Sequence, residues 1–287
     1  MVAAARPMNG KTCIVTGANA GIGKATALGL AKMGAKVVMV CRSRERGEVA
    51  LAEITRESGN DSVSLLLADL SSQTAVRNLA AEFTATYPSL HVLINNAGII
   101  PKRRTVTEDG LETQFAVNHL ACFLLNNLLL DKLKANASAR IINVSSKVHE
   151  RASIDFDNLQ SERSYRPTHV YAWTKLANVL FTYELARRLE ATRVTANCLH
   201  PGPVATDLMA GYMPSVPRFM MKIIAHSPQN AAQTSLYLAT SPDVEGVSGK
   251  YFVNQESALS SKASYDRTAA RRLWEVSAKL TGLPIPN

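Results

Sequence analysis

The chain has 287 residues, is 46% hydrophobic and 19% charged, and carries a formal net charge of +9. Its 15 Gly and 12 Pro are under a tenth of the chain, which excludes collagen-like and low-complexity classes, and the apolar content is too high for general disorder. The basic residues are scattered, with short clusters at Arg42, Arg44 and Arg46, at Lys102–Arg104 and at Arg271–Arg272; none is a long block interleaved with aromatics, so the charge reads as a solvated surface without a nucleic-acid partner.

In chain order, apolar β-branched runs alternate with helical patterns. The first strand, Thr12–Thr16, enters a glycine-rich turn and a helix near 22–33. Lys36–Cys41 is followed by a helix near 44–58, Val63–Ala68 by one near 72–86, and Val92–Asn95 by a long one near 108–134. Arg140–Ser145 precedes a polar stretch, Lys147–Thr168, and a helix near 169–190. Val194–His200, a helix near 228–240, Gly249–Val253 and a helix near 266–281 complete the series. Continuous apolar strands such as KVVMVC and RIINV suit positions covered on both faces, and strand–helix alternation calls for a parallel sheet. The predicted fold is α/β: one doubly wound domain over 1–287, about seven parallel strands with helices on both faces. A substrate loop is expected near 205–227. Its part 210–227, with the segment FMMKIIA, reads either as a functional lid or as a short core-packing helix.

No apolar run reaches the roughly 18 residues of a spanning helix, and residues 1–11 hold no signal-peptide core. Four widely spaced cysteines (Cys13, Cys41, Cys122, Cys198) read as buried thiols rather than a disulfide framework. The expectation is a soluble cytoplasmic chain without a transmembrane anchor.

Chemistry concentrates first at Gly17-Ala-Asn-Ala-Gly21-Ile-Gly23, placed between the first strand and the first helix. Glycines there permit a tight turn and a close backbone approach to a pyrophosphate, and the helix N-terminus presents free N–H groups to the phosphates. A site for NAD usually carries Asp or Glu at the end of the second strand, to accept from the ribose 2′-hydroxyl. Here that strand ends Val40-Cys41-Arg42-Ser43. Arg42 suits a 2′-phosphate instead, with Lys24 able to assist, so NADP (NADPH) is the expected cofactor; a merely solvated Arg42 is the bland alternative.

A second concentration lies at Ser146 and at Tyr171 and Lys175. Tyr171 and Lys175 are four residues apart and share one helix face. An ammonium beside a phenol favours the phenolate and lowers its pKa, which makes the phenol an acid/base nearer neutral pH. Ser146, at the carboxyl end of a strand, can donate to a carbonyl oxygen. Alone, each has an ordinary explanation: Tyr-x-x-x-Lys occurs on many amphipathic helices, Asn118 also reads as a satisfied core amide, and Asn95 and Asn96 also read as residues that only close a turn. His149, His169 and His200 show no metal-ligand spacing and read as structural or loop residues; no metal site is expected.

The ordered set Thr16–Gly23, Asn95-Asn96-Ala97-Gly98, Ser146, Tyr171-Ala-Trp-Thr-Lys175 and His200-Pro201-Gly202 resembles the short-chain dehydrogenase/reductase family. Asn143-Val-Ser-Ser146 and Lys175-Leu-Ala-Asn-Val-Leu-Phe181 resemble its retinol dehydrogenase branch. The resemblance implies a Rossmann-type fold and hydride transfer between the nicotinamide and a carbonyl carbon, with Tyr171 as acid/base. It implies that Lys175 tunes Tyr171 and binds the nicotinamide ribose, that Asn118 supports a proton relay, and that Ser146 rather than its competitor Ser145 polarises the substrate. Cofactor contacts implied the same way are Gly17, Asn19, Ile22, Gly23, Arg42, Asp69, Leu70, Asn96, Ala97, Gly98, Tyr171, Lys175, Pro201 and Thr206. The expected partner is a small carbonyl or alcohol substrate. Met209, Met213, Phe219, Met220 and Met221 suggest an apolar pocket wall and thus a lipophilic, retinal-like substrate. A homodimer or homotetramer is the family's habit. A non-catalytic nucleotide sensor on the same fold is the competing reading, and the joint presence of Asn118, Ser146, Tyr171 and Lys175 weighs against it.

Overall fold

A computed structural model describes residues 7–136, 138–202 and 227–284. Eight strands form one sheet in the order β3-β2-β1-β4-β5-β6-β7-β8. They are β1 (Thr12–Thr16), β2 (Lys36–Cys41), β3 (Val63–Leu67), β4 (Val92–Asn95), β5 (Arg140–Val144), β6 (Thr195–His200), β7 (Tyr251–Val253) and β8 (Glu256–Ala258). The first seven pair in parallel; β8 returns antiparallel on β7 through Asn254 and Gln255, both at positive φ. The sequence reading has seven strands because β8, mostly exposed and only three residues long, carries no apolar run.

Alternate strand residues feed two cores. Ile14, Val38, Leu93 and Ile141 pack on one face, with Phe83, Phe123, Phe181 and Trp274. Cys13, Val15, Val37, Met39 and Ile94 pack on the other, with Leu30, Ile54 and Leu236. Full burial of a side chain of this size stabilises by about 1.5–3 kcal/mol, so the continuous apolar strands are explained by cover on both sides. The helices α1 (Gly21–Lys32), α2 (Arg44–Ser58) and α3 (Gln73–Thr86) follow the first three strands. Ser43 and Ser72 cap α2 and α3 through their hydroxyls.

The long helix predicted near 108–134 is broken up. Gly110, at φ +75°, turns the chain. Glu112, wholly buried, then accepts from the N–H groups of Gln114 and Phe115 and starts α4 (Thr113–Phe115). A π-helical turn, Ala116–Leu120, leads into α5 (Ala121–Leu128) and α6 (Leu130–Lys134). The polar stretch 147–168 forms a 3-10 turn, Lys147–Arg151, and then lies down on the body: Arg104 donates to the Gln160 carbonyl and Tyr165 to that of Pro101, with Leu159 buried. It leads into α7 (Pro167–Arg188), and α8 (Pro228–Thr240) and α9 (Arg267–Leu280) complete the covering. The predicted substrate loop at 205–227 lies almost wholly outside the described residues, as does Thr206 within it. All four cysteines are free and buried. Among the described residues, no helix is long and apolar enough to cross a membrane.

Candidate active site

At the carboxyl end of β1 the chain turns on Gly17, at φ +67°, whose N–H donates to the Val40 carbonyl at 2.8 Å. Gly23 must be glycine for a different reason: a Cβ there would sit 2.3 Å from the Gly17 carbonyl oxygen and 2.5 Å from Asn96 Nδ2. The loop and α1 therefore press together without side chains between them. Ala20 at the N-cap supplies no side-chain acceptor, and Gly21–Gly23 line a cavity of about 600 Å³.

Thr16 stitches the next motif to this loop. Its hydroxyl accepts from the N–H groups of Asn96 (3.0 Å) and Ala97 (3.1 Å), and its carbonyl accepts from Asn96 Nδ2 (2.9 Å). Asn95 turns inward and donates to Asn143 Oδ1 at 2.9 Å. Gly17, Asn19, Ile22, Gly23, Arg42, Asp69, Leu70, Asn96, Ala97 and Gly98 all line the one cavity, across the carboxyl ends of β1 to β4, where parallel sheets bind ligands. At its mouth, Arg42 lies 3.5 Å from Asp69. Burial raises the Asp69 pKa, but donation from the Ser71 N–H and hydroxyl, together with Arg42, outweighs it and leaves the carboxyl below its ordinary value.

Two hydrogen bonds pin the end of β5 to the middle of α7. Ser145 donates from its hydroxyl to the Lys175 carbonyl at 2.8 Å, and Lys175 Nζ donates to the Val144 carbonyl at 2.9 Å. Ser145 is thus consumed by the fold, while the half-exposed Ser146 hydroxyl receives, among the described residues, only a long contact, 3.5 Å, from the Val148 N–H. One turn before Lys175 on α7, Tyr171 lies with its ring centroid 5.4 Å from the ammonium. Burial pulls the Lys175 pKa down to about 8 and pushes the Tyr171 phenol up. The sequence reading expected the ammonium to lower the phenol; desolvation dominates instead.

A match to the short chain dehydrogenase family model covers residues 11–215. The chain belongs to the short-chain dehydrogenase family. This short-chain dehydrogenase is 47% identical to retinol dehydrogenase 14 of Mus musculus, covering 96% of this chain and 87% of that one, and 46% identical to retinol dehydrogenase 11 of Homo sapiens, with the same shares. A solved structure of an uncharacterised protein from Mycobacterium paratuberculosis superposes with a TM-score of 0.79 at 31% identity, covering 98% of this chain and 96% of that one. The chain is accordingly an oxidoreductase of the type that interconverts carbonyls and alcohols.

In this short-chain dehydrogenase Asn118 sits on the π-helical turn, a device frequent at functional sites. Its side chain latches Ile99, accepting from the Ile99 N–H at 2.8 Å and donating to the Ile99 carbonyl at 3.0 Å. That latch lies beside Gly98, where a Cβ would meet both Asn118 Oδ1 and Lys175 Nζ at 3.4 Å. Asn118 also donates to Thr174, whose hydroxyl bonds back to the Tyr171 carbonyl. Lys24, expected to assist at the phosphate, is instead ion-paired with Glu53 of α2 and does not line the cavity; Arg46, which sequence reasoning missed, does. Its signal was its position, four residues past Arg42 and in the first turn of α2. Ser146, Tyr171, Lys175 and Pro201 lie outside that cavity lining.

Sequence reasoning also missed Asn178 and His119. Asn178 donates to the Asn118 carbonyl at 2.9 Å, and its Oδ1 lies 3.1 Å from His119 Nδ1. Because that amide oxygen can only accept, His119 carries its proton on Nδ1, and Nε2 accepts from Ser277 of α9 at 3.0 Å. Burial lowers the His119 pKa from 6.5 to about 4. Between those values the unfolded chain binds a proton that the folded one refuses, so stability falls as pH drops from 6.5 to 4, by roughly 3 kcal/mol at full extent. The thermal midpoint at pH 5 should lie below that at pH 7, and His119→Gln should flatten the slope. Equal slopes in both proteins would contradict this account.

Proposed function

We propose that this chain is an NADP-dependent oxidoreductase that interconverts a lipophilic aldehyde or ketone and its alcohol, with retinal-like molecules in its range. The observation that carries the cofactor reading is the pair at the cavity mouth: Arg42, just past the end of β2 where an NAD site needs a carboxylate, and Arg46 in the first turn of α2. The glycine cradle, too tight for any Cβ at Gly23, and the first turn of α1 suit a pyrophosphate. The lipophilic substrate class is supported by the retinol dehydrogenases to which the chain is similar and by the methionines of the 205–227 segment.

Gly17, Gly23, Arg42 and Arg46 would hold NADPH, which when bound would supply the hydride for a carbonyl carbon. Ser146 donates its hydroxyl to the carbonyl oxygen and stabilises the charge that develops there. Tyr171, kept neutral by burial, gives its proton to that oxygen. Lys175, titrating near 8, remains cationic at neutral pH and stabilises the phenolate left behind. Asn118 holds Ile99 and the loop after β4 against α7, and so keeps the cavity wall in register with Tyr171.

The test is a comparison of cofactors. The Arg42→Ala/Arg46→Ala variant should raise the NADPH KM about 100-fold, as expected for lost charge-assisted contacts to a phosphate, and move that for NADH by less than about threefold. A wild-type enzyme that prefers NADH would overturn the cofactor assignment. Turnover of small polar sugars but of no aliphatic, aromatic or retinoid carbonyl would overturn the substrate class.

A further inference from the structure

His149 lies outside the machinery described above, yet it is wholly buried and both of its ring nitrogens are engaged. The Ser261 N–H donates to Nε2 at 3.1 Å, so Nε2 is the bare nitrogen. The proton therefore sits on Nδ1, which lies 2.7 Å from the Ser146 carbonyl and donates to it. The ring packs edge-on against Tyr251 of β7, with centroids 4.9 Å apart. Burial lowers its pKa, which favours the same neutral form.

Ser146 is thereby held on both sides. On its N-terminal side Ser145 is fixed by its N–H to the Leu199 carbonyl (2.8 Å) and by its hydroxyl to the Lys175 carbonyl (2.8 Å). On its C-terminal side its own carbonyl accepts from the His149 ring and from the His149 N–H at 3.1 Å. The far end of the staple is also anchored. Ser260 bonds to Tyr183 of α7 at 2.7 Å and to Ser264 at 2.6 Å, and Ser264 donates to the Ser261 carbonyl at 2.6 Å. The contacts close a ring from α7 through Ser260, Ser261, His149, Ser146 and Ser145 back to Lys175. The helix that carries Tyr171 and Lys175 thus sets the place of Ser146 from two directions.

We propose that His149 is a positioning residue for the carbonyl–alcohol reaction, a neutral imidazole that fixes the Ser146 backbone so that its hydroxyl meets the substrate oxygen. This rests on the reading of Ser146 as the group that polarises that oxygen. The requirement is for a donor toward the Ser146 carbonyl, joined to an acceptor toward Ser261.

Five variants test it, with kcat, substrate KM and NADPH affinity measured for each. His149→Ala should lower kcat about 10-fold or more with NADPH affinity unchanged, the signature of misplaced chemistry rather than lost binding. His149→Asn, whose amide keeps a donor for the Ser146 carbonyl, should recover most of that loss. Ser261→Pro deletes the N–H, together with a hydroxyl that has no hydrogen-bond partner among the described residues, at a φ of −63° that the proline ring matches, and should lower kcat by about threefold or more even if His149→Ala does not fold. The deciding measurement is Ser146→Ala/His149→Ala, which should be no slower than Ser146→Ala alone, because His149 acts through Ser146. Multiplying losses in the double variant, or wild-type kcat in both His149→Ala and Ser261→Pro, would overturn the proposal. A wild-type rate in Ser146→Ala would instead remove the reading of Ser146 on which it rests.

Discussion

Tyr171→Phe should lower kcat by about 10²–10⁴-fold, the usual contribution of a positioned acid or base, while NADPH affinity and the thermal midpoint stay close to those of the parent. The change deletes one oxygen and leaves the ring that lies against the Lys175 ammonium. The helix around it is unaffected, because α7 is held by Lys175 to the Val144 carbonyl, by Ser145 to the Lys175 carbonyl and by Asn178 to the Asn118 carbonyl, none of which uses the phenol. On the proposed mechanism, what is lost is a neutral proton donor whose conjugate base sits near a cation. Rapid-mixing absorbance at the nicotinamide band, with a cofactor titration by fluorescence, separates the two quantities. A variant turning over at a near-parental rate would remove Tyr171 from its role, and one that failed to bind NADPH would mean that the phenol holds the cofactor rather than the proton.

Gly23→Ala should weaken NADPH binding by about 10- to 100-fold, the equivalent of one or two charge-assisted contacts displaced from the phosphates. The added Cβ would stand 2.3 Å from the Gly17 carbonyl oxygen and 2.8 Å from its carbon, so the glycine loop itself must move. Helix propensity favours the alanine by about 1 kcal/mol, against roughly 1–3 kcal/mol for overpacking, so the net stability cost should stay within about 2 kcal/mol. Gly29→Ala on the same helix is the internal control. The three atoms nearest its Cβ all belong to the Leu236 side chain, the first at 2.5 Å, and that flexible side chain can yield without disturbing the loop. Equal cofactor affinities in the two variants would show that the loop is not the phosphate cradle.

The order of strands and helices was legible in the residues because parallel strands buried on both faces write themselves as unbroken apolar runs. The termini of α2, predicted at 44–58 and observed at Arg44–Ser58, follow from Ser43 as a hydroxyl cap and Gly59 in the left-handed region. That the glycine loop, the Asn96–Gly98 stretch and Arg42 share one cavity was legible for a related reason: each begins within a residue or two of a strand's carboxyl end, where local spacing already says which way the chain faces. Local sequence likewise determined that Tyr171 and Lys175 would share a helix face.

Contacts across the fold were not legible. Ser145 and Ser146 are equivalent as letters, and only the Lys175 carbonyl, thirty residues away in the chain, takes up the hydroxyl of one of them. Arg46 lines the cavity and Lys24 does not, because Glu53 stands within reach of Lys24 and pairs with it. The phenol's acidity reversed direction because proximity to an amine can be read from a four-residue spacing, whereas burial depends on everything packed around the pair. The ring from α7 through Ser261 and His149 to Ser146 joins residues up to 112 positions apart, and no periodicity records it. Short-range pattern determined which elements form and which end of each carries chemistry; desolvation and long-range hydrogen bonding, which exist only once the layers are packed, decided which of several equivalent side chains was left free to act.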